Sequence, residues 1–247
     1  MRILVLSDIH ANATALDAAL DAVKGRWDTS VCLGDVVGYG PDPNEAIDLV
    51  RTLDPIFIRG NHDKAACGQT DASDFNPVAR AAAEWTTSQL RRDNLDFLRA
   101  LPTGPANVDG LTLVHGAVAD EDEYIFAPAQ ALDSLLESPS AVTFFGHTHF
   151  QGGFSYRNSQ LELIQLKPRP GANFAALQIE EGTRYLINPG SVGQPRDGDP
   201  RAGFAIADLG HHVVEFWRVP YEYPAVQERM KKAGLPEPLI LRLSMGR

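Results

Sequence analysis

Cysteine is scarce in this sequence, and the two present, Cys32 and Cys67, lack the paired spacing of a zinc ribbon or a redox motif. They cannot build a disulfide framework, and a chain of 247 residues can bury enough core to fold without one. Long apolar runs are missing too: nothing approaches the roughly 18 residues of a membrane span. The short run at residues 3–6 ends before Asp8 with no cleavage-site pattern. Basic residues are outnumbered, 22 Lys+Arg against 32 Asp+Glu, for a formal net charge of −10. That balance disfavours nucleic acid, whose wrapping needs a basic footprint. Internal repeats, low-complexity stretches and linkers are absent. A hydrophobic share of 44% rules out disorder. The expectation is a cytoplasmic globular protein of one domain, residues 1–247, in a reducing compartment.

The first sixty residues alternate short apolar strands with amphipathic helices. Residues 3–6, 31–33 and 56–58 read as strands buried on both faces, and residues 12–24 and 43–52 as the helices between them. Asp42-Pro43 is an N-cap and first-turn pair. This order predicts a parallel sheet with right-handed crossovers. Residues 64–105 read as mostly helical, clearest over 79–90. Strands are expected at 111–114 and 142–145, with a helix over 128–137. Short strands then follow near 161–166, 174–179, 185–187, 203–207 and 213–219, the last two joined by a hairpin turn at Leu209-Gly210. A last short helix is expected over 225–233. Two packed sheets with helices outside would accommodate these elements.

The placement of the polar residues carries the chemistry. Five strand ends bear metal-competent side chains: Asp8 and His10, Asp35, Asn61 and His62, His115, then His147 and His149. Five of the seven histidines lie there. Each motif has an ordinary reading on its own. Asp8 can cap a helix, Asp35 can sit in a turn, Asn61 can cap the next helix by its side chain, and His115 can be a satisfied core histidine. Together they sit where strand ends of an α/β sheet converge on one crevice. His147 and His149, two apart, would share a face if the strand continued through them. Carboxylate, imidazole and carboxamide without thiolate suit Mn²⁺, Fe or Zn²⁺, with Ni²⁺ also possible. Even seven of these eight side chains exceed what one cation uses. Two cations bridged by one carboxylate would use them all and would turn a bridging water into a hydroxide nucleophile.

Asp8-Ile9-His10, Gly34-Asp35, Gly60-Asn61-His62-Asp63, His115 and Gly146-His147-Thr148-His149, in this order, resemble the signature of calcineurin-like metallophosphoesterases. Ile187-Asn188-Pro189-Gly190-Ser191 and Pro195-Arg196 resemble the compact bacterial and archaeal branch. The resemblance implies an α/β (α+β) fold, a β-sandwich of two mixed sheets flanked by helices, with the helical segment 64–105 covering part of the cleft. It implies one metal on Asp8, His10, Asp35 and His149, and a second on Asp35, Asn61, His115 and His147. It further implies that His62 protonates or stabilises the leaving oxygen and that Asp63 orients His62. The two divalent ions would be Mn²⁺ first, and the substrate a small phosphoester attacked by the metal-bridging hydroxide.

One departure bears on substrate. The protein Ser/Thr phosphatase branch carries an arginine in the loop after the bridging aspartate, where this chain has Tyr39. A dianionic monoester would miss that bidentate partner more than a diester would, so phosphodiester hydrolysis is expected first. Monoester or dinucleoside polyphosphate hydrolysis stands second, and a non-catalytic metal-binding scaffold is the alternative from another class. The acidic run 120–123 reads as a solvated loop that lies close enough after His115 to line the cleft.

Overall fold

A computed structural model describes residues 1–73, 75–169 and 171–247. Asp74, inside the expected helical segment 64–105, lies outside them. The elements follow as β1 (Arg2–Leu6), α1 (Ala13–Ala22), β2 (Thr29–Cys32), α2 (Pro43–Arg51), β3 (Ile56–Phe57), α3 (Asn61–Ala66), α4 (Pro77–Gln89) and α5 (Arg92–Ala100). Then come β4 (Ala106–Val108), β5 (Leu111–Leu113), α6 (Pro128–Glu137), β6 (Val142–Phe144), β7 (Gly152–Arg157), β8 (Gln160–Ile164), β9 (Phe174–Gln178) and β10 (Arg184–Asn188). The chain ends with β11 (Ala202–Asp208), β12 (Val213–Val219), α7 (Tyr223–Lys232) and α8 (Glu237–Met245).

The strands form two mixed six-stranded sheets, β3-β2-β1-β11-β12-β9 and β4-β5-β6-β10-β7-β8. β1, β2 and β3 run parallel, while β11 closes antiparallel on β1. Residues 3–6 read as a continuous apolar run because both faces are covered. Ile3 and Val5 join the core between the sheets with Phe144, Ile187 and Phe216, whereas Leu4 and Leu6 face outward against Leu16, Ile47 and Val50. In the second sheet β5, β6 and β10 run parallel, with α6 covering the outer face through Ala131 and Leu135. The parallel strands therefore point the loops after β1, β2, β3, β5 and β6 to one rim.

Several sequence expectations shift. The strands β4 and β7 and the helix α8 were not anticipated, so α7 is not the last helix. Gly60, not the Asn61 side chain, occupies the N-cap of α3. The β11–β12 connection runs over residues 209–212, longer than Leu209-Gly210, because Asp208 Oδ1 accepts from Gly210 N and His211 N, both at 3.1 Å. Among the described residues, no helix is long and apolar enough to cross a membrane.

Candidate metal centre

At the rim the backbone leaves regular structure abruptly. Asp8, His10, Asp35, Tyr39, His147 and His149 all have positive φ, between 50° and 64°. Such left-handed residues cost roughly 1–3 kcal/mol each and persist only where the surroundings hold them. Here the loops are laced together: His10 N donates to Asp35 O at 2.9 Å, Asp8 N to Gly34 O at 3.1 Å and Gly146 N to His115 O at 2.8 Å. Because β6 stops at Phe144, His147 and His149 are not on one strand face. Their kinked backbones send them to different clusters, which corrects the shared-face expectation.

The first cluster contains Asp8, His10, Asp35 and His149, and the second contains Asp35, His115 and His147, the ligand atoms of each lying within 4.8 Å of one another. All are buried. The ring protons follow from their partners. His10 Nδ1 lies 3.1 Å from Val37 O and His149 Nδ1 2.6 Å from Gln194 O. Carbonyl oxygens only accept, so both Nδ1 atoms donate, and each neutral ring keeps its lone pair on Nε2. Those two Nε2 atoms face each other at 3.0 Å.

The second cluster repeats the arrangement. His115 Nδ1 donates to Leu33 O at 2.7 Å and His147 Nε2 to Asp122 O at 3.1 Å. The remaining lone pairs, on His115 Nε2 and His147 Nδ1, face each other at 3.1 Å, with Asn61 Oδ1 3.2 Å from His115 Nε2. Asp35 Oδ2 serves both sides, 3.7 Å from His10 Nε2 and 3.5 Å from His115 Nε2. Acceptors face acceptors beside carboxylates, so a positive charge must sit between them. The donor set therefore fits two cations, with the outer ring nitrogens fixed by carbonyls as metal-binding imidazoles require.

The electrostatics agree. Burial holds His10 and His149 below the ordinary histidine value, and His147 at about 3. Burial also presses on His115, but the Asp35 carboxylate overrides it and lifts the ring to about 10. The carboxylates thus draw positive charge to this point, which a proton or a divalent cation can supply. Asp8 and Asp35 stay below the usual carboxylate range: burial opposes ionisation, but His149 beside Asp8 and His115 beside Asp35 outweigh it.

His62 lies beside the clusters, its ring 5.0 Å from that of His10 and 4.3 Å from that of Tyr39. Burial keeps it near pKa 4, hence neutral at pH 7, and its Nδ1 has no partner among the described residues. Asp63 does not reach it. As the third residue of α3, Asp63 accepts from Gly60 N at 3.1 Å and Val37 N at 3.2 Å, so it fixes the backbone around Asp35 instead of orienting the imidazole. Burial and the Asp35 charge raise Asp63 to about 7. Close packing explains Gly60: a Cβ there would collide with the Asp35 carboxylate.

The Asn188 and Ser191 motif braces loops. Asn188 Nδ2 donates to Gly146 O at 2.8 Å and Ser191 Oγ to Asp8 O at 2.8 Å. Sequence reasoning missed how the acidic run works. Lys64 Nζ contacts Asp122 Oδ2 at 2.6 Å and Glu121 Oε1 at 2.9 Å, and Arg59 binds Glu121 through two nitrogens. This places the Asp122 carbonyl on His147. Tyr124, also unanticipated, lies against the His147 ring with centroids 3.7 Å apart. The position of the run after His115 was its one visible signal. A cavity of about 450 Å³ opens beside the clusters, lined by Asn61, His62, His147, Tyr124 and, from segment 64–105, Phe75 and Asn76.

Residues 1–212 match the model of the calcineurin-like phosphoesterase superfamily domain. An uncharacterized protein of Methanocaldococcus jannaschii is 35% identical over 251 residues, covering 99% of this chain and 98% of that protein. A solved metallophosphoesterase from Sphaerobacter thermophilus is 41% identical with a TM-score of 0.81, over 100% of this chain and 99% of that one. A hypothetical protein from Pyrococcus horikoshii OT3 shares the fold at 21% identity and TM-score 0.76, over 100% of this chain and 98% of that one.

Proposed function

The chain belongs to the calcineurin-like phosphoesterase superfamily, and on that premise we propose a phosphoric ester hydrolase, a single domain over residues 1–247, whose two donor clusters each take a divalent cation. The observation that carries the two-cation reading is the facing of imidazole lone pairs on either side of Asp35 Oδ2. Asp8, His10, Asp35 and His149 would hold one ion, and Asp35, Asn61, His115 and His147 the other. Divalent ions, Mn²⁺ first and Fe, Zn²⁺ or Ni²⁺ as alternatives, would supply Lewis-acid polarisation of a phosphoryl oxygen and an acidified water at neutral pH.

The chain's own groups do the rest. His62, neutral and facing the cavity, donates a hydrogen bond to the oxygen of the departing group. Asp63 holds the amides of Gly60 and Val37, which keeps the Asp35 loop and the start of α3 in register. Tyr39, Phe75 and Tyr124 wall the reacting centre from bulk water. Two observations favour two ester classes. Tyr39 in place of a loop arginine favours a singly charged diester. The Arg196 guanidinium, 5.6 Å from the Tyr39 ring centroid, comes from a different loop and favours a multiply charged phosphate, as in a monoester or a dinucleoside polyphosphate.

Titration of metal-stripped protein with Mn²⁺, using bis(4-nitrophenyl) phosphate and 4-nitrophenyl phosphate, tests the reading. Turnover should rise with metal and disappear in Asp35→Asn. Full turnover in stripped protein, or in that variant, would overturn it.

A further inference from the structure

A second cavity, of about 760 Å³ against about 450 Å³ beside the clusters, opens at the other end of the sandwich. It lies where β5 and β6 begin, at Leu111 and Val142, and where β11 ends, at Ala207 and Asp208. His115 and His147 follow the opposite ends of β5 and β6, so these strands separate the cavity from the metal rim. Its inner wall is core. Leu111, Val142, Phe144, Ala207 and Val214 are each at most 8% exposed and belong to the packing between the two sheets. Protein interiors leave few gaps larger than a water molecule, whereas a space of this size matches the pockets that hold small molecules.

Polar groups mark one side of the cavity. Thr183, just before β10, is 6% exposed, and its Oγ1 has no partner among the described residues. The Thr183 amide donates to Glu180 O at 3.3 Å, closing the turn that presents the hydroxyl. A buried hydroxyl left unpaired is costly, so a ligand that hydrogen-bonds it removes a penalty the free protein carries. The mouth is acidic. Asp109, Glu180, Glu181 and Asp208 line it, and among the described residues no lysine or arginine does. Glu180 is paired with Arg157 at 2.7 Å and Asp208 with His211 at 2.9 Å, whereas Asp109 and Glu181 make no ion pair among the described residues. Glu181 precedes Thr183 by two residues in the same turn, which keeps carboxylate and hydroxyl on one side. An apolar space with this edge complements an apolar body that ends in a protonated amine, while a fatty carboxylate would meet like charge.

We infer that this cavity binds a small amphiphilic amine, its apolar body between the sheets and its ammonium on Thr183 Oγ1 and the Glu181 carboxylate. The site is separate from the metal centre and does not depend on the phosphoesterase reading.

Calorimetric titration of the Mn²⁺-loaded protein with octylamine, 1-octanol and octanoate tests the site in wild type, Thr183→Val, Glu181→Gln and Ala207→Leu. Octylamine should bind one per chain, about tenfold or more tighter than the alcohol or the carboxylate of equal length. Thr183→Val keeps the shape and removes the hydroxyl, and it should weaken octylamine about threefold or more. Glu181→Gln should weaken octylamine about threefold and leave octanol unchanged. Ala207→Leu enlarges the inner wall and should weaken all three probes about tenfold. Should that variant fail to fold by circular dichroism, Thr183→Val and Glu181→Gln decide alone. Equal affinity for the three probes, or octylamine binding unmoved by every variant, would overturn the proposal. Absence of octylamine binding would overturn it too, and a dimer in light scattering would then assign the cavity to a second copy of the chain.

Discussion

The two donor clusters share Asp35 but are built differently. In the first, the outer nitrogens of His10 and His149 are anchored on carbonyls of Val37 and Gln194, and both carbonyl-bearing residues are buried. In the second, His115 is anchored on buried Leu33, but His147 depends on the carbonyl of Asp122, in a loop whose acidic side chains pair with Lys64 and Arg59. Its covering residue Tyr124 is 39% exposed. One cluster is fixed by the core of the fold, and the other by an ion-pair network at its edge. The difference teaches that two cations bound here would not be equivalent. The second should be weaker and should exchange more readily.

Removing the shared carboxylate abolishes the comparison. Asp35→Asn should leave neither cluster complete and lower metal-dependent ester hydrolysis on the order of 10³-fold or more, read as kcat/KM at saturating Mn²⁺. Cutting the edge network separates the clusters. Lys64→Met frees Asp122 and leaves Glu121 to Arg59 alone, so the weaker Mn²⁺ Kd should rise roughly 10–100-fold, the scale of outer contacts on ligands, while the tighter one stays within about threefold. Disturbing the core side should cost stability instead. Gly193→Ala would drive a Cβ into the Ile9 carbonyl beside the first cluster, at about 1–3 kcal/mol in urea unfolding of metal-stripped protein. The mildest change is Tyr124→Ala, which uncovers His147 but removes a half-exposed ring. Unfolding should shift by less than about 1 kcal/mol.

Much of this was legible in the sequence because buried strands read as apolar runs and each run ended in its donor residues. The order of the motifs placed Asp8, His10, Asp35, Asn61, His115, His147 and His149 at one rim, and the structure brings them there. Periodicity could not disclose the positive φ of His147 and His149, since backbone handedness at a strand end is set by the loops it meets. Helix α8 is hard to see in sequence because Pro236 and Pro238 bracket its start, although a proline in a first turn starts a helix. The Gly152-Gly153 start of β7 hides that strand, because glycine weakens a strand pattern. The Asp63 role differed because a carboxylate three residues into a helix is drawn to its free amides. Lys64 and Asp122 are separated by 58 residues, and only the folded chain shows that they meet.

The most direct test of two unequal sites is calorimetric titration of Mn²⁺ into metal-stripped wild type, with Lys64→Met alongside. The account predicts two ions per chain bound in two resolved steps, with only the weaker step moving in the variant. A single ion per chain, or two steps that move together, would contradict it.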